Sequence, residues 1–265
     1  MNQLIAPFQM IWAHRRMLNA TTIVELRQIY AGSALGIAWA WLGPLLLLAL
    51  YSLIYAFIFR VKPAGMEQAE YILYVFAGLG PFLAFSQALI SGALALGKSR
   101  QLLLNTVFPA DLLPVRTVLV ASASLPTSLG VVIVASIFYG HPSALTLLVI
   151  PVVAGQLMLS FGLAWMLSLL VLLLRDVQQL LQYISMVLMI ATPIAYTPDM
   201  IPHAIRFAMW FNPLTYYVVA YQDLIVFGRL PPLPIIAGIF VISIGGFWLG
   251  GWVFNRTKRE MLEYA

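Results

Sequence analysis

Long apolar stretches without charge alternate with short polar segments along this chain. An α-helix needs roughly 20 apolar residues to cross the hydrocarbon core of a bilayer. Six stretches of about that length appear once the longest one is divided at a glycine- and proline-containing turn. They predict membrane-spanning helices over residues 35–59, 71–96, 117–139, 144–174, 177–196 and 234–254. The expected fold class is therefore an all-α integral membrane protein with six transmembrane helices.

The segment before the first span, residues 1–34, is amphipathic instead. Four apolar side chains fall on one face of a helix and a basic run follows them: Leu4, Phe8, Ile11 and Trp12, then His14, Arg15 and Arg16. This pattern is typical of a helix that lies in the membrane interface. Thr22 and Glu25 have the spacing of a capping box, which predicts the start of a second helical stretch. The pattern leaves open whether the segment only rests on the membrane or also contacts a soluble partner.

Residues 199–229, between the fifth and sixth spans, form two apolar pieces that are each too short to cross the bilayer. Asn212-Pro213 separates the two pieces. We expect a re-entrant or surface-lying helical hairpin on the outer side of the membrane. Its predicted aromatic face consists of Trp210, Phe211, Tyr216, Tyr217 and Tyr221.

Lysine and arginine are distributed unequally between the two sides of the predicted helices. With both termini in the cytoplasm, ten of these residues lie inside and four outside, in agreement with the positive-inside rule. Residues 98–116 then form the main cytoplasmic loop, and residues 255–265 form a cytoplasmic tail. The loop contains an apolar cluster that we expect to be exposed as a docking surface, although its two prolines also fit a plain turn. The cluster comprises Val107, Phe108, Leu112 and Leu113.

Composition restricts the possible classes of function. Of the 265 residues, 62% are apolar and only 9% are charged, which excludes an ordinary soluble domain. Cysteine is absent and the three histidines lack metal-ligand spacing, so we expect neither disulfides nor a metal site. Because no lysine, arginine, aspartate or glutamate lies at the centre of a predicted span, an ion-coupled secondary transporter is disfavoured. An intramembrane enzyme is disfavoured because no aspartate pair lies within a span and no serine–histidine pair shares a plausible depth. No basic run indicates binding to nucleic acid.

Residues 92–99, GALALGKS, match the phosphate-binding pattern G-x-x-x-x-G-K-S letter by letter. That pattern binds nucleotide only where it forms a loop between a buried strand and a helix. Here the interior of the pattern continues the second span, so we expect a helix and no nucleotide site. The chain itself is therefore expected to bind no cofactor.

Three aromatic side chains recur every four residues toward the end of the first span: Tyr51, Tyr55 and Phe59. They fit an interfacial aromatic belt. They also fit the lining of a translocation path on which sugar rings stack, and the spacing does not decide between the two.

Several short motifs follow one another in the order found in a known family. The first is Glu25-x-Arg27-x-x-Tyr30-x-x-Ser33-x-Leu35-Gly36, followed by Gly78-Leu79-Gly80-Pro81-Phe82, Phe108-Pro109, Arg175-Asp176 and the proline-rich exit of the fifth span. This series resembles the ABC-2 type export permeases. It is most similar to the polysaccharide exporters that carry lipid-linked O-antigen, capsule or teichoic acid, and above all to the O-antigen exporters. The resemblance covers nearly the whole chain.

The resemblance implies a transporter subunit, not an enzyme, in the inner membrane of a bacterium. It implies a homodimer that works with two copies of a separate ATP-binding subunit, which holds the ATP and Mg. The implied cargo is a glycan on an undecaprenyl-pyrophosphate carrier. An export permease for capsule, teichoic acid or another lipid-linked substrate is the nearest alternative, and a secondary transporter is a more distant one.

Candidate residues follow for each role. Contact with the ATP-binding subunit is assigned to Glu25, Arg27, Phe108, Pro109 and Asp111. The translocation path is assigned to Tyr51, Tyr55, Phe59, Phe82 and Phe85. An outer gate is assigned to the aromatic face of residues 199–229. The anionic headgroup of the lipid would be met by Arg15, Arg16, Lys98 and Arg100.

Overall fold

The computed structural model describes residues 2–54, 65–99, 108–201, 207 and 209–263. All regular structure in these ranges is helical, as the predicted fold class requires. The α-helices are α1 (Asn2–Ala13), α2 (Arg15–Ile29), α3 (Trp39–Leu53), α4 (Gln68–Ala93), α5 (Ala95–Lys98), α6 (Leu112–Ala121), α7 (Leu125–Tyr139), α8 (Val149–Leu173), α9 (Val177–Ala191), α10 (Pro213–Ile225) and α11 (Leu233–Glu263). Short 3₁₀ turns cover Gly36–Ala38, Ser122–Ser124, Ala144–Leu148 and Pro198–Met200.

Four helical units in the described ranges are long and apolar enough to cross a bilayer, which makes the chain a multi-pass membrane protein. They are Gln68–Ala93, Leu112–Tyr139, Ala144–Leu173 and Leu233–Lys258, and they correspond to the predicted second, third, fourth and sixth spans. Two shorter apolar stretches, Gly36–Tyr51 and Val177–Ala191, correspond to the first and fifth. The count of six spans stays a prediction.

Glycines allow α8 and α11 to approach until their backbones touch. A Cβ atom built on Gly162 would overlap the backbone of Gly246, and one built on Gly250 would overlap the backbone of Gly162. The Gly246-x-x-x-Gly250 pattern therefore packs within the subunit, as small residues at a helix crossing permit. This crossing positions the last span against the fourth.

α10 is a 13-residue helix buried in the bundle rather than a surface element. It begins at Asn212, whose side-chain oxygen accepts a hydrogen bond from the Leu214 N–H, and Pro213 occupies the first turn. The helix packs against α4, α8 and α11. Part of the other arm of the predicted hairpin, residues 202–206 and 208, lies outside the described residues. The re-entrant placement stays a prediction.

One predicted helix start is wrong near the beginning of the chain, and α11 extends beyond the predicted sixth span. α2 begins at Arg15, so Thr22 lies inside a helix and forms no capping box. The reason is that Glu25 reaches across to Arg116 instead of back to the start of a helix. At the other end, α11 continues through residues 255–263. The predicted tail is therefore mostly a helical extension of the last span.

Basic side chains are concentrated at one end of the bundle, which we call the basic end. Lys98, Arg116 and Lys258 lie at the basic end, together with α2. At the opposite end, the Thr146 hydroxyl donates to the Leu224 carbonyl at 3.2 Å. There the turn between α7 and α8 thus docks on the end of α10.

Candidate functional site

Phe108–Arg116, called the coupling segment below, begins on the surface and quickly enters the bundle. The prediction that Leu112 and Leu113 form an exposed docking cluster is wrong, since both side chains are 0% exposed. α6 starts at Leu112, and this first turn packs into a small core at the basic end that contains Trp165. Phe108 is only partly buried against that core, and Val107 lies outside the described residues.

Asp111 ties the coupling segment to two other helices. Its carboxylate accepts hydrogen bonds from the Lys258 ammonium at 2.6 and 2.8 Å. Its backbone carbonyl accepts one from the Trp165 indole N–H at 2.8 Å. The side chain is 15% exposed. The long α11 helix brings Lys258 alongside Asp111, so this carboxylate is engaged within the chain.

Glu25 and Arg116 connect α2 to the same segment. The Arg116 Nε lies 2.6 Å from the Glu25 Oε2, and the two side chains are 14% and 27% exposed. The Arg116 guanidinium also lies over the Phe108 ring, 5.6 Å from its centroid. Arg27, two residues from Glu25 and so on a different face of α2, is exposed. The sequence motif thus contributes one ion pair to the bundle and one exposed cation to its surface.

Among the residues predicted for the translocation path, the three in the described ranges are buried or half-buried. Phe82 and Phe85 are 3% and 2% exposed and lie inside the main core, packed among neighbouring helices. Their prediction as path-lining residues is not supported, because α4 is surrounded by other helices along this stretch. Tyr51 is partly buried against the same core. Tyr55 and Phe59 lie outside the described residues.

α9 presents a different candidate surface, which the sequence analysis missed. Only a narrow stripe around Leu181 and Ser185 faces the bundle. Away from that stripe, Gln179, Gln182 and Tyr183 are exposed in the first half of an apolar helix. Polar amides facing hydrocarbon are unfavourable. The signal was present in the sequence as glutamines three residues apart inside a predicted span.

The aromatic residues predicted for the outer gate also do not share one face. Tyr217 and Tyr221 are 1% and 0% exposed. The Tyr217 hydroxyl lies 2.7 Å from the Ser243 hydroxyl, and the Tyr221 hydroxyl donates to the Gln156 side chain at 2.9 Å. The Trp210 and Tyr216 rings pack against each other in a tilted arrangement, with ring centroids 5.6 Å apart. Phe211 is 80% exposed.

Two buried amides join α10 and its neighbours. Gln222 on α10 donates to the Pro193 carbonyl, just after α9, at 2.9 Å. Gln156 on α8, which accepts from Tyr221 of α10, donates to the Pro81 carbonyl on α4 at 2.9 Å. At the end of α10, Asp223 pairs with Arg229 at 2.7 Å. Burial raises the pKa of the Asp223 carboxyl, and the Arg229 guanidinium partly counteracts this. These contacts hold α10 in one position.

The basic residues predicted to meet the headgroup lie on the surface of the basic end. Arg15, Arg16 and Lys98 are exposed, and the Arg15 guanidinium rests on the Trp12 ring, 4.7 Å from its centroid. Arg100 lies outside the described residues.

The segment that matches the phosphate-binding pattern is helical, as predicted. It runs through the end of α4 and through α5. A Cβ built on Gly92 would lie 2.7 Å from the Ala164 Cβ. Gly92 therefore serves helix packing rather than a phosphate cradle.

Comparison with known proteins places this architecture in a family. Residues 18–226 match the family model described as "ABC-2 type transporter". The chain belongs to the ABC-2 type transporter family. The O-antigen export system permease protein RfbA of Klebsiella pneumoniae is 29% identical over 252 residues, which cover 93% of this chain and 94% of that protein. The protein of the same name from Myxococcus xanthus is 26% identical over 256 residues, covering 96% of each chain.

The family match confirms the resemblance drawn from the motifs. It spans α2, the coupling segment and α10, which are the parts of this ABC-2 permease that carry the ion pairs and buried amides described above. The subunits of this family are transmembrane components without an ATPase domain of their own.

Proposed function

We propose that this chain is the membrane-spanning subunit of an ABC exporter for a lipid-linked polysaccharide. The favoured cargo is an O-antigen on an undecaprenyl-pyrophosphate carrier, moved across the bacterial inner membrane. The supporting observation is similarity along 93% of the chain to a permease named for O-antigen export. A hydrophilic polymer needs a route lined by polar and aromatic groups through the bilayer, and the exposed face of α9 offers such groups.

Energy for export would come from a separate subunit. We propose two copies of an ATP-binding subunit that hold the ATP and Mg, working with a homodimer of this permease, while the permease itself binds no cofactor. The basic end of the bundle would face the cytoplasm, because Lys98, Arg116 and Lys258 lie there and the positive-inside rule applies. Both termini would then be cytoplasmic.

The surface for the ATP-binding subunit would combine α2 with the start of the coupling segment. Arg27 is exposed on α2, and Phe108 and Pro109 are half-buried. Phe108 is connected to α2 through Arg116, which contacts both the Phe108 ring and Glu25. Glu25 and Asp111 are engaged in ion pairs within the chain. Their proposed role is therefore to hold this surface in shape, so that little conformational freedom is lost when the partner docks.

The translocation path would run along one flank of α9. The flank with Gln179, Gln182 and Tyr183 carries the amides and the phenol, whereas Ile184 and Val187 lie on an aliphatic flank. A lipid-facing surface is expected to be aliphatic, since unpaired amides are disfavoured in hydrocarbon. The glutamine flank would therefore face a polar path shared with the second subunit.

Cysteine substitution distinguishes the two flanks of α9, because the natural chain contains no cysteine. We expect Gln182→Cys to react with a hydrophilic thiol reagent and the attached group to reduce export by about tenfold or more. Ile184→Cys, facing lipid, should stay unmodified, because only the ionised thiol reacts and hydrocarbon suppresses ionisation. Labelling extent and exported glycan are measured on the same cells. Equal labelling and equal block at both positions would contradict the assignment of α9.

The proposed function is tested by deleting the gene and analysing glycans on both sides of the membrane. We expect surface O-antigen to disappear and its lipid-linked precursor to accumulate inside, and the wild-type gene to restore export. If a capsule or a teichoic acid disappears instead, the chain is still an exporter of a lipid-linked polymer, but the proposed cargo is wrong. Transport by the lone chain, driven by an ion gradient, would replace the proposal with a secondary transporter.

A further inference from the structure

A cleft runs between α3 and the helices α4–α6 at the basic end of the bundle. Its wider part has a volume of about 420 Å³ and is closed on one side by α2. A second cavity of about 260 Å³ continues it deeper between α3 and α4. The two cavities share Gly43, Pro44, Gln87 and Ser124 as lining residues. We call the two together the α3 cleft.

The lining of the α3 cleft changes from polar to apolar with depth. Its end near α2 is lined by side chains that include Tyr30, Ser91 and Lys98. The deeper cavity is lined by Leu47, Leu48 and Leu83 among others. At about 1.5 Å per helical residue, Gln87 lies roughly 16 Å along the helix axis from Lys98. The α3 cleft thus has the length and polarity gradient of an amphipathic molecule.

Charge in the α3 cleft is concentrated at Lys98. Among the described lining residues, Lys98 is the cation and Glu25 is the anion. Glu25 is neutralised by Arg116 at 2.6 Å, whereas Lys98 is exposed at the end of α5 and makes no ion pair with any residue in the described ranges. An ammonium at the membrane interface attracts anionic lipid. The end of the α3 cleft therefore selects for negative charge.

We propose that the α3 cleft binds a lipid through its phosphate group. The phosphate pairs with Lys98, with Ser91 and Tyr30 nearby as hydrogen-bonding groups, and one hydrocarbon chain lies between α3 and α4 beside Leu47 and Leu83. An ordinary anionic phospholipid and a polyprenyl phosphate carrier share this chemistry. A role in export rests on the proposed function, but the lipid-phosphate site itself does not.

The test uses a fluorescent label at Ala123→Cys, a lining position without a proposed role in binding, in the complete transporter, reconstituted in phosphatidylcholine nanodiscs. Polyprenyl phosphate, phosphatidylglycerol or uncharged polyprenol is added in increasing amounts. We expect the label to respond to phosphate-bearing lipid, and Lys98→Gln to raise the amount needed for half the response by about fivefold. Arg256→Gln, which removes an exposed cation from α11 away from the cleft, is the charge control. A label at Val134→Cys, which is 57% exposed on α7, reports general changes in the bilayer.

The lipid series separates the possible outcomes. A response to polyprenyl phosphate alone supports a carrier-binding site, and a response to both phosphate lipids supports a site for anionic lipid in general. A response to phosphatidylglycerol alone supports the site and removes its link to export. The proposal is overturned by an equal response to polyprenol, by an equal effect of Arg256→Gln, or by no response in a transporter that exports normally. The last result would leave the proposed export function intact.

Discussion

Replacing Gly250 with alanine should destabilise the folded permease by about 3 kcal/mol or more, although only one methyl group is added. The new Cβ would overlap the backbone of Gly162 on α8, and backbone cannot move aside as a side chain can. α8 and α11 would have to separate along their crossing. The free energy of unfolding, measured by denaturing-detergent titration, should fall accordingly.

Neighbouring glycines of α11 provide matched controls for this prediction. A Cβ at Gly245 would meet nothing within 4 Å, so Gly245→Ala should be neutral or stabilising by up to about 1 kcal/mol through helix propensity. A Cβ at Gly246 would lie 2.8 Å from the Leu159 Cδ1, the end of a flexible side chain. Gly246→Ala should therefore have an intermediate effect. Equal stability of the variants at positions 245 and 250 would show that the α8–α11 crossing is looser than described.

The sequence predicted the membrane-spanning helices well where the length of an apolar stretch is enough to identify a span. The second, third, fourth and sixth spans were found because each is long enough to cross the bilayer. The start of α2 was mistaken, and the helical form of residues 255–263 was not predicted, for a different reason. Glu25 and Lys258 are polar residues whose partners, Arg116 and Asp111, lie far away in sequence, so local patterns assigned them to a cap and a tail.

The candidate sites were predicted less well, because residue type does not reveal which side of a helix faces the core. Phe82 and Tyr221 are aromatic residues in a transporter, yet both are buried. Gln182 was overlooked in a span judged by its mean hydropathy, although its exposure makes it the stronger candidate for the path. Burial within the coupling segment could not be predicted from the motif, because it comes only from the packing of α6.

The contacts at the basic end form a connected set that joins four helices. Glu25 on α2 pairs with Arg116 on α6, and Asp111 at the start of α6 pairs with Lys258 on α11. Trp165 on α8 donates to the Asp111 carbonyl. A force applied by a partner to α2 or to Phe108 would therefore reach several membrane-spanning helices. We infer that Arg116, which contacts both Glu25 and the Phe108 ring, is the residue on which this transmission depends most.

Arg116→Gln should therefore lower export several-fold more than it lowers ATP hydrolysis by the complete transporter, and should reduce unfolding free energy by roughly 1–3 kcal/mol. Glu25→Gln should act in the same direction. The free energy of unfolding of the double variant should lie within about 0.5 kcal/mol of that of the less stable single variant, because both changes break the same contact. Exchanging the two charges, with Glu25→Arg and Arg116→Glu in one chain, should restore part of the lost stability and export.

Arg27→Gln, which removes an exposed charge from the same helix, is the stability control. Additive losses in the double variant would mean that the two side chains act separately, and coupling would then have to pass through Asp111 and Lys258.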